Sequence, residues 1–226
     1  MALPFEEARE TILNSVNPLP YESVTLVESI GRVVVEDVDA PWDIPSWNNS
    51  AMDGYAINKD DIPVDAIKKF KVIATAYAGK PVSVSCGRGQ CIRIMTGAPM
   101  PVGTDTVIMQ EQVNTADATH VHIGSGHQPG QNVRQAGEDI HKGSIVLQSG
   151  KLLTPADIGV LASLGIFEVN VFRRPRVAFF STGDELRSAG ESLAEGDVYD
   201  SNRYSLYGML KKLNMDVLDM GTISDN

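Results

Sequence analysis

The sequence predicts a multidomain protein that combines α+β and α/β architecture. Three observations lead to this fold class: apolar residues at helical spacing near the N-terminus, short strands and turns over residues 46–140, and a strand-helix-strand pattern over residues 174–226. We therefore expect a helix/strand domain built from residues 1–45 and 141–173. An inserted β domain should occupy residues 46–140, and a truncated parallel α/β domain should begin at residue 174.

The first domain opens with a predicted amphipathic helix. Four apolar residues recur at helical spacing behind Pro4, which suits a first helical turn: Phe5, Ala8, Ile12 and Val16. The helix should end before Asn17-Pro18, and a stretch rich in β-branched residues follows from residue 24 to residue 38. Prolines at positions 41 and 45 then impose an extended chain, which we take as the first domain boundary.

The inserted domain is predicted from short strand patterns separated by turn residues. The clearest of these cover residues 70–74, 91–95, 106–109 and 120–123. After the insert, the chain carries its strongest helix signals. Thr154 is a suitable N-cap, Pro155 suits the first helical position, Asp157 lies near the positive end of the helix dipole, and Gly165 is a stop signal.

The last segment predicts the beginning of a parallel βαβ unit. An apolar strand at 177–180 leads into the loop 181–185, Asp200 or Ser201 can cap the helix that follows, and residues 215–220 form a second strand. A parallel sheet must be buried on both faces, so a complete doubly wound domain needs more strands and covering helices. We therefore expect these 226 residues to be a fragment of a longer protein.

Composition predicts an ordinary soluble globular protein in the cytoplasm. Hydrophobic residues make up 42% of the chain and charged residues 21%, and no segment has the length of apolar sequence that spans a bilayer. The formal net charge of −10 opposes nonspecific attraction to nucleic acid or to anionic membranes, so an anionic substrate would need a local positive patch. The two cysteines, Cys86 and Cys91, are expected to be reduced structural thiols.

A first candidate site lies in residues 49–56, Asn-Ser-Ala-Met-Asp-Gly-Tyr-Ala. An Asp-Gly pair alone usually marks a turn between strands, and that interpretation stays open. However, Asp53 follows Asn49 and Ser50 and lies just after both tryptophans of the chain. This mixture of amides, hydroxyls and aromatic rings suits a loop that faces a ligand.

A second candidate lies in residues 92–99, Ile-Arg-Ile-Met-Thr-Gly-Ala-Pro. The simpler interpretation is a turn that ends a strand. Because Arg93 and Thr96 are three residues apart, they would face opposite ways on a regular strand. Only the turn could bring both side chains to one ligand.

A third candidate is the segment 130–140, Gly-Gln-Asn-Val-Arg-Gln-Ala-Gly-Glu-Asp-Ile. The fork of the Arg134 guanidinium is well suited to a phosphate or oxyanion. The alternative is an ion pair between Arg134 and Glu138 or Asp139, and both interpretations carry equal weight.

The fourth candidate is the loop that follows the strand 177–180. In open α/β sheets, ligands bind beyond the carboxyl ends of the strands, which is where Ser181, Thr182, Asp184 and Glu185 should lie. Hydroxyls, a glycine and carboxylates suit a phosphate-bearing ligand, such as a nucleotide, with a metal ion. A simple helix cap is the alternative.

Together these motifs resemble those of the molybdopterin molybdotransferases, the family of MoeA and the gephyrin E domain. The resemblance runs through essentially all 226 residues. It implies an elongated helix/strand domain for dimerisation and a truncated molybdopterin-binding α/β domain of the MoaB/Mog type. It also implies an activity in molybdenum cofactor biosynthesis, in which molybdate is inserted into adenylyl-molybdopterin, AMP is released and molybdenum cofactor forms. Mg²⁺ is the expected cofactor.

The resemblance further implies roles for individual residues. The residues expected to be catalytic are Asp53, Thr96, Glu185 and Asp225. The residues expected to bind substrate are Ser50, Arg134, Asp139, Ser181, Thr182 and Asp184. Asp53, Glu185 and Asp225 are also the expected metal ligands, since Mg²⁺ is usually held by one or two carboxylates, several waters and substrate phosphate oxygens.

The resemblance implies a homodimer in which the β domain of one subunit faces the α/β domain of the other. Asp53 and Thr96 would then act across a subunit interface from Glu185. Contacts with other molybdenum cofactor biosynthesis proteins are also implied. The family continues through loops and a C-terminal β domain that follow the region matched here, so this chain alone is expected to be inactive or nearly so.

Two alternatives remain open. A dimeric scaffold that holds partner peptides, as gephyrin does, would have no physical need for the acidic set Asp53, Glu185 and Asp225. An adenylyltransferase with a similar α/β domain would leave the motifs at 49–56 and 92–99 unexplained.

Overall fold

The computed structural model describes residues 3–224. It is a mixed α+β structure in which strands predominate. Three α-helices are present in the described residues, α1 (Phe5–Ser15), α2 (Pro155–Ser163) and α3 (Ser201–Lys212), together with two short 3₁₀ helices at Lys59–Asp61 and Gln110–Gln112. The strands are β1 (Tyr21–Thr25), β2 (Val38–Asp39), β3 (Asn49–Ser50), β4 (Gly54–Ile57), β5 (Lys68–Ala76), β6 (Gln90–Ile94), β7 (Thr106–Met109), β8 (Val113–Asp117), β9 (His120–Ile123), β10 (Val133–Arg134), β11 (Ile145–Leu147), β12 (Glu168–Phe172), β13 (Arg176–Thr182), β14 (Leu186–Arg187), β15 (Val198–Tyr199) and β16 (Asp216–Ile223).

The chain forms two compact units. One consists of Asp39–Val146, and the other combines Met1–Val38 with Leu147–Asn226. The first unit is therefore inserted into the sequence of the second. The three-domain division expected from the sequence, with boundaries after residues 45, 140 and 173, stays a prediction.

The unit Asp39–Val146 is built around one mixed sheet of six strands. Its order is β7-β4-β6-β5-β9-β8, with β5 and β6 parallel and all other neighbours antiparallel. Side chains alternate between the two faces of a strand, and here both faces are apolar. Tyr55 and Ile57 pack with Phe70 on one side, whereas Ala56 packs with Ile92 on the other.

Gly54 allows β4 to approach β7 closely. A Cβ atom added at Gly54 would lie 2.0 Å from the carbonyl oxygen of Ile108 on β7. No side chain fits there, so the glycine lets β4 enter the sheet directly after Asp53.

In the second unit, β1 and β12 form an antiparallel pair, and the helices predicted near the N-terminus and after Thr154 are confirmed. Helix α1 begins behind Pro4 and ends before Asn17, but none of its residues is buried against the described part of the chain, and Phe5 is 77% exposed. Helix α2 has a complete capping box, because the Thr154 side chain accepts from the Asp157 backbone N–H and the Asp157 side chain accepts from the Thr154 backbone N–H.

The predicted parallel βαβ start is also confirmed. Strands β13 and β16 pair in parallel with Arg176 opposite Asp216, and α3 connects them. Asp200 caps α3 by accepting a hydrogen bond from the Arg203 backbone N–H at 3.1 Å. Between β13 and α3 the chain adds a short parallel pair, β14 with β15, that the sequence did not predict. Within residues 3–224, no helix combines the length and apolar character needed to cross a membrane.

Candidate functional site

Asp53 and Thr96 form the centre of the first candidate site. Asp53 lies between β3 and β4, and Thr96 lies in the turn that follows β6. The Asp53 Oδ1 atom accepts hydrogen bonds from the Thr96 backbone N–H at 2.7 Å and from the Thr96 hydroxyl at 2.8 Å. The turn predicted within residues 92–99 therefore places Thr96 in contact with Asp53, the acidic residue of the motif at 49–56.

These bonds keep the Asp53 carboxylate ionised. The Thr96 backbone N–H, the Thr96 hydroxyl and the charge of Arg93 hold the pKa of Asp53 below its usual range, against a smaller effect of burial in the opposite direction. Within residues 3–224, the second oxygen, Oδ2, has no hydrogen-bond partner. The site thus presents a charged, oriented oxygen, Asp53 Oδ2, that is able to bind a cation or a hydrogen-bond donor.

The backbone locks the two motifs together. The Ser50 N–H donates to the Ala98 carbonyl at 3.0 Å, and the Gly97 N–H donates to the Ser50 carbonyl at 2.8 Å. Ser50 itself is buried, and its hydroxyl donates to the Met52 carbonyl at 2.6 Å. The Ser50 side chain therefore shapes the loop in front of Asp53, and its expected contact with substrate stays a prediction.

The third motif joins the same framework through β10. Arg134 pairs with Asn49 across β10 and β3. Its guanidinium donates to Glu138 Oε1 at 2.5 Å and to Asp139 Oδ2 at 2.6 Å. The bonds to Glu138 and Asp139 raise the pKa of Arg134. The ion-pair alternative is thus observed for both carboxylates, and the substrate roles of Arg134 and Asp139 stay predictions.

The fourth motif lies at the carboxyl ends of β13 and β16, as expected, but the predicted loop 181–185 begins two residues later. Ser181 and Thr182 are the last residues of β13, where they pair with Thr222 and Ile223 of β16, and Asp184 and Glu185 follow the strand. Gly183 has φ +146°, and a Cβ atom added there would lie 2.6 Å from Glu185 Oε2. The glycine therefore leaves the space that the Glu185 carboxylate occupies. In the described part of the chain, this carboxylate is exposed and has no hydrogen-bond or ion-pair partner.

A cleft of about 620 Å³ opens beside this loop. Its lining includes Gly183, Asp184, Arg203 and Thr222. This volume is within the range of small-molecule sites. The cleft contains both acidic and basic groups, which suits a ligand with phosphate and hydroxyl groups.

Two polar atoms near this edge were missed by sequence reasoning. Asp200 is 4% exposed, and its Oδ2 atom has no hydrogen-bond partner among residues 3–224, nor does the buried Thr222 Oγ1 atom. Buried polar atoms without partners are costly, so both are candidates to contact a ligand. The sequence marked Asp200 only as a helix cap, and Thr222 carried no signal.

The expected metal ligands are distributed over both units. Asp53 belongs to Asp39–Val146, Glu185 belongs to the other unit, and Asp225 lies outside the described residues. Within residues 3–224, no cluster of three or more His, Cys, Asp and Glu side chains is arranged to hold a metal ion.

Comparison with known proteins identifies the family. Residues 3–165 match the family model described as the MoeA N-terminal region, domains I and II. The chain belongs to the MoeA family. The matched region contains Asp53, Thr96 and Arg134, and the loop with Glu185 follows it.

Relatives extend the MoeA match over the whole chain. A molybdopterin molybdenumtransferase from Haemophilus influenzae is 40% identical over 225 residues, which cover 99% of this chain and 55% of the relative. Another from Nostoc sp. is 37% identical and is covered to 53% of its length. The crystal structure of a molybdopterin biosynthesis MoeA protein from Pyrococcus horikoshii OT3 matches with a TM-score of 0.92 at 33% identity, over 100% of this chain and 61% of that protein. The chain spans about half the length of the curated relatives it matches.

Proposed function

We propose that the chain carries the N-terminal part of a molybdopterin molybdotransferase, an enzyme of molybdenum cofactor biosynthesis. The reaction inserts molybdate into adenylyl-molybdopterin, releases AMP and forms molybdenum cofactor. The main structural support is the Asp53 carboxylate, which Thr96 orients and keeps ionised while Oδ2 stays without a partner among the described residues. The transferase names of the relatives give the reaction class, and none of them is named as a scaffold.

Mg²⁺ is the proposed cofactor. This ion favours carboxylate oxygens but usually takes only one or two of them, and it completes its shell with water and substrate phosphate oxygens. Asp53 Oδ2 and the Glu185 carboxylate, both without partners in the part of the chain that the structure describes, are suitable ligands, and Asp225 is the third proposed one. When bound, Mg²⁺ would polarise the phosphoanhydride and offset charge on the leaving oxygen.

The chain's own groups would bind and orient the substrate. Thr96 fixes the direction of the Asp53 carboxylate, so that Oδ2 is presented without a conformational search. At the carboxyl edge of β13, Ser181, Thr182 and Asp184 are the proposed contacts to the pterin or its phosphate. Ser50 and Asp139 are also proposed substrate contacts. Arg134 is a further proposed contact, but it would have to break its ion pairs with Glu138 and Asp139 to bind substrate.

The remaining features of the proposal follow from the family. The segment β13-α3-β16 is the proposed start of a MoaB/Mog-like α/β domain, and the enzyme is proposed to be a cytoplasmic homodimer that contacts other proteins of the pathway. The relatives are about twice as long as this chain, so we expect it to need the residues that follow in them for full activity.

The test is AMP release from adenylyl-molybdopterin with Mg²⁺, with and without molybdate. This chain is compared with a version extended to the relatives' length, and the Haemophilus influenzae relative validates the assay. We expect release by the extended protein, and a loss on the order of 10²-fold or more in its Asp53→Asn variant. Full release by that variant with unchanged Mg²⁺ dependence would remove the proposed role of Asp53. No release by either protein, while the relative is active, would reject the transferase proposal.

A further inference from the structure

A second cleft lies at the opposite edge of β13 and β16, where these strands begin. It has a volume of about 410 Å³ and is lined by residues of one unit: Glu22, Arg32, Arg173, Arg174, Arg176, Lys211, Met215 and Asp216. Arg176 and Asp216 are the first residues of the two strands, whereas Thr182 and Ile223 are their last residues and Asp184 and Glu185 follow β13. The cleft is therefore separate from the proposed transferase site.

The charge of this cleft is opposite to that of the protein. Five cationic side chains and two carboxylates line it, a net charge of +3 on a chain whose net charge is −10. Like charges gathered this closely repel each other, so their proximity is costly unless an anion offsets it. The sequence shows three of these cations close together, at positions 173, 174 and 176, but it does not show that Arg32 and Lys211 join them.

Internal ion pairs neutralise only part of this charge. Arg32 donates to Glu22 Oε1 at 2.5 Å and to the Phe172 carbonyl at 2.8 Å, and Arg176 lies 3.3 Å from Asp216. Both carboxylates of the cleft are thereby occupied. Within residues 3–224, the guanidinium groups of Arg173 and Arg174 have no hydrogen-bond or ion-pair partner.

The shape of the cleft favours a small ligand. Arg32 lines it and is only 7% exposed, so the cleft reaches into the unit. Its volume is at the lower end of the range for small-molecule sites. Guanidinium groups bind phosphate oxygens through two parallel N–H bonds, and two free guanidinium groups can each take one phosphate.

We propose that this cleft binds a small diphosphate-bearing anion, held mainly by Arg173 and Arg174 with Lys211 adding charge. Inorganic pyrophosphate is the simplest member of this class. The binding does not depend on the proposed transferase reaction, so the two proposals can fail independently.

The test is calorimetric titration of the 226-residue chain with inorganic pyrophosphate at constant ionic strength. We expect saturable binding at one site, weakened about tenfold or more in the Arg173→Gln/Arg174→Gln variant. The matched control is Arg9→Gln/Arg88→Gln, which removes two exposed arginines outside the cleft. This control loses the same charge, and we expect less than about a twofold change in affinity from it.

A second variant and a fold check keep the result interpretable. Lys211→Gln should also weaken pyrophosphate binding. Thermal unfolding should show that every variant is folded, because the replaced side chains are exposed. Absence of saturable binding, or equal weakening in the cleft variant and its control, would overturn the proposal. Stronger binding of an acidic peptide of equal charge would also overturn it, in favour of a protein partner.

Discussion

Thr96 sets the protonation state of Asp53 through two different hydrogen bonds. The backbone N–H is present whatever side chain occupies position 96, whereas the hydroxyl bond at 2.8 Å depends on Thr or Ser. The contribution of the side chain to the pKa of Asp53 can therefore be separated from that of the backbone by substitution.

We predict that Thr96→Ala raises the pKa of Asp53 toward its usual value, while Thr96→Ser leaves it nearly unchanged. The reason is that a donor to the ionised carboxylate is lost in the first variant and kept in the second. Titration of the Asp53 carboxyl carbon by NMR measures the effect. Because the folded pKa is depressed, the associated stability is present at neutral pH and is lost as the pH falls through the folded pKa. Identical titration of both variants would contradict the assigned role of the hydroxyl.

The two cysteines illustrate the opposite effect of environment on a titratable group. Burial and the neighbouring Cys86 raise the pKa of the Cys91 thiol to about 12, and burial raises that of Cys86. We predict that neither thiol of the native chain reacts measurably with a thiolate-specific reagent at pH 8, and that both react in denaturant. Rapid labelling of native Cys91 would show that its strand opens readily.

Asp157 makes the largest number of side-chain hydrogen bonds at the N-terminus of helix α2. Asp157 accepts hydrogen bonds from the Lys151 ammonium and from Thr154, and these bonds lower the pKa of Asp157 to about 2. Its stabilisation should be complete above the unfolded pKa of about 3.9 and should be lost as the pH falls toward 2.

We predict that Asp157→Asn lowers the free energy of unfolding by about 1–2 kcal/mol at pH 7 and by much less at pH 2. Urea unfolding at both pH values measures the difference. Asp65→Asn, which neutralises an exposed loop carboxylate, is the control and should change little at either pH. A pH-independent loss for Asp157→Asn would mean that side-chain shape rather than charge is responsible.

Strand β4 depends on the absence of a side chain at its first residue. We predict that Gly54→Ala destabilises the protein by about 1–3 kcal/mol, because the added methyl group would meet the backbone of Ile108. Gly159→Ala in helix α2 is the matched control. Nothing lies within 4 Å of a Cβ atom there, so a better helix former should be neutral or stabilising. Chemical unfolding compares the two, and a neutral Gly54→Ala would show that β4 can shift without cost.

Local patterns predicted the three α-helices and the strands near residues 70–74, 91–95, 106–109, 120–123, 177–180 and 215–220. They did not predict the shorter strands or which strands pair. The strands at 106–109 and 120–123 were found at the residues where they occur, and Thr154 and Pro155 located the start of α2 correctly. Alternation and capping are properties of neighbouring residues, so one segment is enough to reveal them. The pairing of β1 with β12 joins residues more than 140 positions apart, and no local pattern encodes it.

For the candidate site, too, the sequence predicted the residues but not their contacts. Sequence singled out Asp53 and Thr96 by their motifs, but it could not show that one carboxylate oxygen is held by Thr96 while the other stays without a partner within residues 3–224. It could not decide between the ion pair and the substrate role of Arg134. The orphan atoms of Asp200 and Thr222 result from three-dimensional burial alone.

At the scale of the whole protein, the proposed dimer can be tested by mixing two inactive variants. If Asp53 and Glu185 act across a subunit interface, mixing extended chains that carry Asp53→Asn with chains that carry Glu185→Gln should restore activity. Random pairing leaves one intact site in each mixed dimer, so about a quarter of the wild-type activity is expected. AMP release by the mixture, with subunit exchange verified by mass spectrometry, measures it. Confirmed mixed dimers without activity would place both residues in one subunit's site.

The inserted unit begins and ends at the same place. The Ala40 N–H donates to the Ser144 carbonyl at 2.9 Å, and the Gly143 N–H donates to the Ala40 carbonyl at 2.8 Å. An element whose two ends are hydrogen-bonded neighbours can be removed from a host chain, or transplanted into a surface loop of another protein, with a linker of only a few residues. The unit Asp39–Val146, with its Asp53 and Thr96 pair, is therefore suited to being produced and studied as a separate protein.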